Sequence, residues 1–221
     1  MEKSDIDDLI TRYPILSTFE EPDVTRIIDE SRIARFSKGT ILRDRKESVD
    51  SVVFVKEGML RAYTNDGDKQ MLLFYVPEGQ LSVMTAPRIC QSQAIDYHIE
   101  TATDCLLYML QDEVLMELER KYPLLRNFID SRLAMRLDRL FIELDGMMRQ
   151  SQSEQIENYL DYMSQIFKSD TFPIKHTDIA KDLGIRRESV SRILDRMQEE
   201  GKVEISRGSI RLIRRIDTQG A

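Results

Sequence analysis

The sequence contains few cysteines and histidines and no tryptophan. Its 221 residues include only two cysteines, Cys90 and Cys105, and two histidines. Neither cysteine belongs to a C-x-x-C pair, and two cysteines cannot provide the four ligands of an iron–sulfur cluster or a disulfide framework. No apolar run is long enough to cross a bilayer, and the acidic N-terminus is not typical of a secretory signal. These absences predict a reduced, cytoplasmic protein with no membrane partner.

Positive charge is in the minority, except near the C-terminus. The whole chain carries a net charge of −7. Residues 168–221 contain 12 Lys and Arg against 9 Asp and Glu, a net charge of +3, whereas residues 1–167 carry −10. A positive excess confined to one end of an acidic chain favours phosphate binding at that end. Because the excess is small, we expect tight binding to need two copies of this region.

Residues 175–213 have the pattern of a winged helix-turn-helix. The first helix has one apolar face, formed by Ile179, Ala180 and Leu183. Thr177 is suited to be its N-cap, and Gly184 can adopt the positive φ that ends it. Beyond the second helix, residues 203–205 and 210–213 alternate as a two-stranded wing. A surface helix in an ordinary α/β domain would explain the charges alone.

The second helix has an apolar face and a polar face. The apolar residues recur with the helical period: Val190, Ile193, Leu194 and Met197. Arginine offers a bidentate donor pair to guanine, and glutamate accepts from the N4 amino group of cytosine. We therefore predict that this helix contacts base edges of double-stranded DNA through Arg187, Glu188, Ser191 and Arg192.

The N-terminal region is typical of an antiparallel β-roll. One or two short helices are predicted within residues 5–30. Short strand candidates separated by turn residues then follow: residues 33–36, 52–56, 59–64, 70–75, 80–84, 97–102 and 105–109. Many short strands at regular spacing favour an antiparallel barrel or roll. An isolated sandwich module would show the same pattern.

Helical patterns replace the strands after Met109. A helix is predicted over residues 112–121, and Pro123 suits the first position of a longer one that continues to about Arg149. Residues spaced by four and three positions form a heptad seam: Leu133, Leu137, Leu140, Leu144 and Met147. This spacing favours a dimerising coiled coil over a single core helix. A second face, expected to pack on the roll, is formed by Phe128, Phe141, Ile142 and Met148.

The predicted fold class is α+β, with three parts. Residues 1–110 form a β-roll sensor domain, residues 111–150 a dimerisation helix and linker, and residues 151–221 the DNA-binding domain. Ser151 and Glu154 predict a capping box at the start of the helix that enters the third part.

This order of parts resembles the cyclic-AMP receptor/fumarate-nitrate reductase regulator (CRP/FNR) family of bacterial transcription factors. The resemblance covers nearly the whole chain and is most specific where RRESVSRIL is similar to the family's recognition helix. It implies a homodimer that recognises an inverted repeat with a TGA-like half-site core. It implies base contacts by Arg187, Glu188, Ser191 and Arg192, and phosphate contacts by His176, Thr177 and Arg186. It also implies activation through RNA polymerase, contacted at residues 168–173.

The sensor region departs from the cyclic-AMP binders of this family. The positions that match the family's ribose, phosphate and adenine contacts are Val83 and Met84, Ile95 and Asp96, and Leu140 and Phe141. Asp96 would repel a phosphate, and an apolar pocket would not offset the cost of desolvating the anion. We therefore expect no cyclic-AMP binding. The pocket would take an unidentified organic effector or be filled by its own side chains.

The sequence leaves other functions open. Cys90 and His98 lie near the expected pocket and are candidate haem ligands or redox residues. The alternative is a loop thiol at Cys90, a buried strand residue at Cys105 and a surface strand residue at His98. A cupin-like metalloenzyme would need clustered His and carboxylate ligands, and no such cluster or catalytic motif is found, so we expect neither a metal site nor an enzyme. A ligand-binding protein without DNA binding would not need the polar helix face.

Overall fold

A computed structural model of the protein describes residues 3–43, 51–66, 69–82 and 97–213. The chain forms two compact units, one of Met1–Asn65 with Leu73–Phe141 and one of Asp66–Leu72 with Ile142–Ala221. The three-part division given above stays a prediction. Within the described ranges, no helix combines the length and the apolar run that crossing a bilayer requires.

Two α-helices and a 3-10 helix precede the roll: α1 Lys3–Arg12, the 3-10 helix Pro14–Thr18 and α2 Glu21–Asp29. Their apolar side chains enter one core cluster: Leu9, Tyr13, Leu16, Val24, Ile27 and Ile28. Tyr13 links these helices to the roll. Its ring packs edge-on against Phe54, and its hydroxyl donates to the carbonyl oxygen of Val55 at 2.9 Å. Burial raises the pKa of Tyr13, so the hydroxyl stays a donor.

The roll consists of two four-stranded sheets. Its strands are β1 Arg32–Phe36, β2 Ile41–Arg43, β3 Ser51–Glu57, β4 Met59–Asp66, β5 Lys69–Pro77, β6 Leu81–Ser82, β7 Tyr97–Thr101 and β8 Cys105–Gln111. The strand orders are β1-β8-β3-β6 and β2-β7-β4-β5. The pairings of β1, β3 and β8 in one sheet, and of β2, β4 and β7 in the other, are antiparallel. The antiparallel roll predicted from the sequence is thus confirmed.

The predicted strands are confirmed, with ends that differ by a residue or two; the end of the strand predicted over 80–84 lies outside the described residues. The sequence pattern does not indicate β2, because three residues are too few to show alternation; its pairing with β7 identifies it. The turn between β3 and β4 requires Gly58, whose φ is 87°. A Cβ atom there would lie 2.2 Å from the carbonyl oxygen of Asp104, so no other residue fits.

Helices α3 Asp112–Lys121 and α4 Pro123–Arg149 follow as predicted. The start of α4 packs on the core cluster through Leu125 and Ile129, which are 2% and 3% exposed. The expectation that Phe141 and Ile142 pack on the roll is wrong, because their side chains are 59% and 55% exposed. The apolar pattern indicates which residues avoid water, but not which of them the rest of the chain covers.

The C-terminal unit contains α5 Gln152–Phe167, β9 Thr171–Phe172, α6 His176–Leu183, α7 Arg187–Glu199, β10 Val203–Ser206 and β11 Ser209–Leu212. The predicted capping box at the start of α5 is confirmed. The amide of Ser151 donates to the Glu154 carboxylate at 2.8 Å, and the amide of Glu154 donates to the Ser151 hydroxyl at 3.4 Å. The core of this unit is formed by Ile156, Tyr159, Leu160, Ile179, Val190 and Leu194.

The wing is a three-stranded sheet of order β10-β11-β9, rather than the predicted two-stranded hairpin. Phe172 lies opposite Ile210 in the antiparallel register and is completely buried. Its ring stacks on Phe167 with 6.0 Å between centroids. The segment 168–173, predicted as a loop, therefore contributes a strand that fixes the wing to α5.

Candidate nucleic-acid interface

Helix α7 is buried on one side and exposed on the other. Val190, Ile193, Leu194 and Met197 are at most 5% exposed. Burying side chains of this size contributes roughly 2 kcal/mol each and fixes the rotation of the helix about its axis. Of the predicted base-contacting residues, Arg187, Glu188 and Arg192 are exposed and Ser191 is half-buried.

The arginines at the start of α7 are not engaged by other side chains. Within the described residues, Arg186, Arg187 and Arg192 form no ion pair. Glu188 and Arg192 have the i, i+4 spacing that allows a pair on a helix, yet they do not form one.

Arg196, which lies one turn after Arg192, is engaged. Its guanidinium donates to the Ser153 hydroxyl at 2.8 Å and lies 3.6 Å from the Glu200 carboxylate. The uncommitted cations of α7 are therefore concentrated in its first two turns, the part of a recognition helix that meets base edges.

The start of α6 differs from the prediction. Thr177 is not the N-cap, because α6 begins at His176 with Lys175 in the capping position. The amide of Lys175 donates to the Asp178 carboxylate at 3.2 Å, and this bond closes the helix end. The Thr177 hydroxyl is thus not required for capping, and its residue is exposed.

The residues predicted to contact phosphate lie at the starts of two helices. His176 and Thr177 begin α6, and Arg186 is the N-cap of α7. His176 is half-buried, whereas Arg186 is exposed. Helix N-termini carry partial positive charge and unpaired amides, an arrangement suited to a phosphate.

His176 and Ser191 are in hydrogen-bond contact, although the sequence predicts separate roles for them. Nδ1 of His176 lies 2.9 Å from Oγ of Ser191, and either atom can donate, depending on the tautomer of the ring. The two residues are 15 positions apart. No local spacing indicates this contact, because it depends on how α6 packs against α7.

A cleft of about 530 Å³ separates the starts of α6 and α7 from the wing. Its polar side chains are those of Lys175, His176, Thr177, Arg187, Ser206, Arg207 and Ser209. Three of these residues are cations, and the cleft has no Asp or Glu in its lining. Lys175 and Arg207 are not among the predicted site residues. The position of Arg207 at the tip of the wing could have been predicted, because Arg207 and Gly208 form the turn between its two strands. This composition favours an anion such as a DNA phosphate.

The predicted effector pocket is only partly described. Val83, Met84, Ile95 and Asp96, together with Cys90, lie outside the described residues. Leu140 is half-buried, and Phe141 is 59% exposed.

His98 is not a surface strand residue, so that alternative is wrong. It is 6% exposed on β7, and its ring stacks on Tyr63 with 5.0 Å between centroids. Beside it, Nε of Arg61 lies 3.4 Å from the Glu100 carboxylate, which also accepts a hydrogen bond from Tyr63 at 3.2 Å. In the part of the chain that the structure describes, no group of three or more His, Cys, Asp or Glu is arranged to hold a metal ion.

Cys105 is the buried strand residue expected from the sequence. It is 4% exposed, and its thiol donates to the carbonyl oxygen of Met59 at 3.4 Å. Burial raises the pKa of the thiol, so the reactive thiolate is disfavoured.

The predicted dimer residues differ in exposure. Leu137 and Leu144 are each 52% exposed, and Leu140 is half-buried. Leu133 is half-buried against the core cluster of the roll. The side chain of Met147 lies outside the described part. A single chain thus leaves large apolar side chains of α4 in contact with water.

Comparisons with known proteins agree with this architecture. Residues 131–217 match the model of the Crp-like helix-turn-helix domain. The chain is 26% identical over 220 residues to the regulatory protein HlyX of Actinobacillus pleuropneumoniae. The alignment covers 91% of this chain and 85% of HlyX.

Two solved structures share the fold. A CRP/FNR-family transcriptional regulator from Eubacterium rectale has a TM-score of 0.74 at 23% identity, covering 92% of this chain and 95% of that one. The c-di-GMP-responsive global regulator CLP of Xanthomonas campestris has a TM-score of 0.75 at 17% identity, covering 89% and 100%.

The fold and the helix-turn-helix define a DNA-binding transcription regulator. The chain is similar to regulators of the CRP/FNR family in its fold and in its helix-turn-helix domain. The relatives reported above are described as regulators, which does not favour the cupin-like metalloenzyme.

Proposed function

We propose that the protein acts as a homodimer on an inverted repeat in double-stranded DNA, with a TGA-like core in each half-site. One observation carries this proposal. Arg187 and Arg192 are exposed and form no ion pair among the described residues, on a helix whose opposite face is completely packed. Cations that are held in place without an internal partner are available to an external one.

The bases would be recognised by the first two turns of α7. Arg187 and Arg192 would each donate a bidentate pair to the O6 and N7 atoms of guanine, and Glu188 would accept from cytosine N4. Each arginine–guanine pair contributes roughly 1–3 kcal/mol of discrimination against other bases. A G·C pair within a TGA core supplies both partners.

Phosphates would be held around the cleft by two kinds of donor. Lys175, Arg186 and Arg207 would act through charge, and His176 and Thr177 through hydrogen bonds at the start of α6. Such contacts are independent of sequence, so they would set the register of α7 and make the affinity fall with salt.

Dimerisation would use the exposed apolar residues of α4. Leu137 and Leu144 belong to the heptad seam and are half-exposed in the single chain, and this supports a second copy as their cover. In such a dimer the two α7 helices would enter successive major grooves, about 34 Å apart.

Control would come from an effector other than cyclic AMP. Asp96 and the apolar residues matched to the cyclic-AMP contacts would disfavour a cyclic phosphate. An effector would act by preferring one of two packings of the α4 pair, which would change the spacing of the recognition helices. By resemblance, RNA polymerase would contact residues 168–173, which now include β9. A haem- or thiol-based signal at Cys90 and His98 is the alternative.

Replacing Arg192 by Ala tests this proposal. Full-length protein is titrated with a TGA-containing palindrome and with a scrambled duplex of the same composition. We expect Arg192→Ala to lower the affinity ratio of the two duplexes by about 30-fold or more, because one guanine contact is lost in each of the two half-sites. The dimer, measured by light scattering, should be unchanged.

Arg196→Ala is the matched control. It removes the same charge from the same helix, but its guanidinium is engaged by Ser153 and Glu200. It should keep the affinity ratio. Equal loss of discrimination in both variants, or none in either, contradicts the assignment of α7 as the base-contacting helix.

A further inference from the structure

We propose that His176 determines which hydrogen-bonding role Ser191 presents to a DNA base, so that protonation of His176 changes the base preference at that position. His176 would thus be a positioning residue for specificity, acting through Ser191. The inference rests on the proposed function, because it requires Ser191 to reach a base edge and His176 to reach a phosphate.

The geometry that supports it is one hydrogen-bond contact between α6 and α7. Nδ1 of His176 lies 2.9 Å from Oγ of Ser191. A serine hydroxyl has one donor and two acceptor sites, so a hydroxyl that donates its proton to the imidazole ring cannot also donate to a DNA base. Both residues are only half-buried, so each keeps an open side toward a ligand.

In the neutral state the serine is restricted to accepting. A neutral imidazole has one N–H, and a phosphate at Nε2 requires that N–H on its side. Nδ1 then has only a lone pair, and the Ser191 hydroxyl donates to it. Toward the base, Ser191 has acceptor sites alone, which suit the amino group of cytosine or adenine but not the O6 and N7 acceptors of guanine.

Protonation reverses the direction of this bond. The imidazolium has an N–H on both nitrogens, so Nδ1 donates to Ser191. The hydroxyl of Ser191 then no longer donates to the ring, and its O–H can point into the groove. Ser191 can then donate to guanine O6 or N7, or to thymine O4. Histidine is the side chain whose charge changes between about pH 5 and pH 8, so both states are accessible in one experiment.

The charged groups around the pair are mixed in sign. Lys175, Arg187 and Arg207 line the same cleft as His176. Asp178 belongs to α6, and Glu188, Arg192 and Asp195 belong to α7, the helix of Ser191. A DNA phosphate at Nε2 adds a further negative charge, which favours the charged ring in the complex.

Two effects of acidification can be separated. An additional positive charge at His176 strengthens phosphate contact with every sequence alike. The switch at Ser191 instead changes the ratio of affinities for guanine and cytosine at one position. The ratio therefore isolates the positioning role from the electrostatic one.

The experiment uses full-length protein and a set of palindromic duplexes in which each half-site base pair is varied in turn. Affinities are measured by fluorescence anisotropy at about pH 5.8 and about pH 8, on either side of the ordinary histidine pKa of about 6.5. At one position, we expect the guanine-to-cytosine affinity ratio to rise about fivefold to a hundredfold at the lower pH, the contribution of one hydrogen bond in each of the two half-sites. The ratio at other positions should not change.

Three variants complete the test. His176→Asn keeps an amide near the Nδ1 position but does not titrate, and Ser191→Ala removes the hydroxyl; each should abolish the pH dependence of the ratio. Lys181→Gln is the matched control, since it changes an exposed residue of α6 that does not line the cleft, and it should keep the pH dependence.

The outcomes distinguish the inference from the proposed function. If wild-type protein discriminates bases but the ratio is independent of pH, or if His176→Asn keeps the pH dependence, the role of His176 is overturned and DNA recognition stands. If no half-site position shows discrimination at either pH, the proposed function fails and the inference with it. The affinity ratios of the wild-type protein at the two pH values test the inference even if a variant does not fold.

Discussion

The cations that connect elements of the roll unit and the two arginines at the start of α7 are used in opposite ways. In the roll unit, cations join separate elements: Arg26 of α2 reaches Glu117 of α3, Lys121 of α3 reaches Asp23 of α2, and Arg61 of β4 reaches Glu100 of β7. In the C-terminal unit, Arg187 and Arg192 form no ion pair within the described residues. Exposed cations without partners contribute little to folding. Their position is therefore better explained by an external partner than by stability.

The largest expected loss of stability comes from a substitution on the buried face of α7. Leu194 is completely buried. Leu194→Ala should lower the free energy of unfolding of the C-terminal unit by about 2–5 kcal/mol, because it removes a buried side chain and leaves a cavity. Arg192→Ala, two residues away, should change it by no more than about 0.5 kcal/mol.

Hydrogen exchange followed during urea unfolding measures both variants, with the amides of α5 to α7 reporting on this unit alone. A stability loss for Arg192→Ala close to that of Leu194→Ala would mean that the exposed face of α7 is structural. The contrast between the ion-paired cations of the roll unit and the arginines of α7 would then be lost.

A smaller effect is expected in the roll. The side chains of Arg61 and Glu100 are 11% and 20% exposed, and the guanidinium also lies 4.6 Å from the centre of the Tyr63 ring. Arg61→Gln should destabilise the roll by about 1–3 kcal/mol, since it leaves a carboxylate largely out of water without its cation. The same loss of charge at Arg192 should cost far less.

A double-mutant cycle tests whether the pair is the cause. Glu100→Gln added to Arg61→Gln should recover part of the lost stability, since neither charge is then left without its partner. Additive losses, measured by exchange of the β4 and β7 amides, would show that the two residues act independently.

The features that the sequence predicts are those decided within a single element. The burial of Val190 and Leu194 follows from helical period alone. The capping box of Ser151 and Glu154 and the helix start at Pro123 depend on residues at most three positions apart. Local contacts of this kind are independent of the rest of the fold, and each of these predictions is confirmed.

The features that the sequence does not indicate depend on distant partners. Phe172 becomes a strand residue because Ile210 lies opposite it. His98 is buried because of what covers β7, not because of its own strand pattern. The contact between His176 and Ser191 exists only once α6 has packed against α7. Phe141 shows the reverse case, an apolar residue that its own chain leaves 59% exposed.

The smallest expected effect depends on pH and lies in the roll unit. Lys121 donates to the Asp23 carboxylate at 2.6 Å, and the hydroxyl of Tyr122 donates to the same oxygen. These hydrogen bonds, that from Lys121 first, lower the pKa of Asp23 from its ordinary value of 3.8. Because the folded state lowers this pKa, the stabilisation is complete above the unfolded-state value and is lost as pH falls through the folded-state value.

Asp23→Asn should therefore lower the free energy of unfolding by about 1 kcal/mol at neutral pH, a modest value because such pairs lie near the surface. Asp29→Asn is the control, since Asp29 is exposed on the same helix and forms no ion pair among the described residues. Urea unfolding near pH 7 and near pH 2.5 gives the comparison, because the carboxylate of the unfolded state is ionised at the first pH and protonated at the second, which removes stability from the folded state with its lowered pKa. A deficit for Asp23→Asn that persists undiminished at the lower pH would mean that Asp23 acts through its shape rather than its charge. The roll unit would then lack one of the ion pairs that distinguish it from α7.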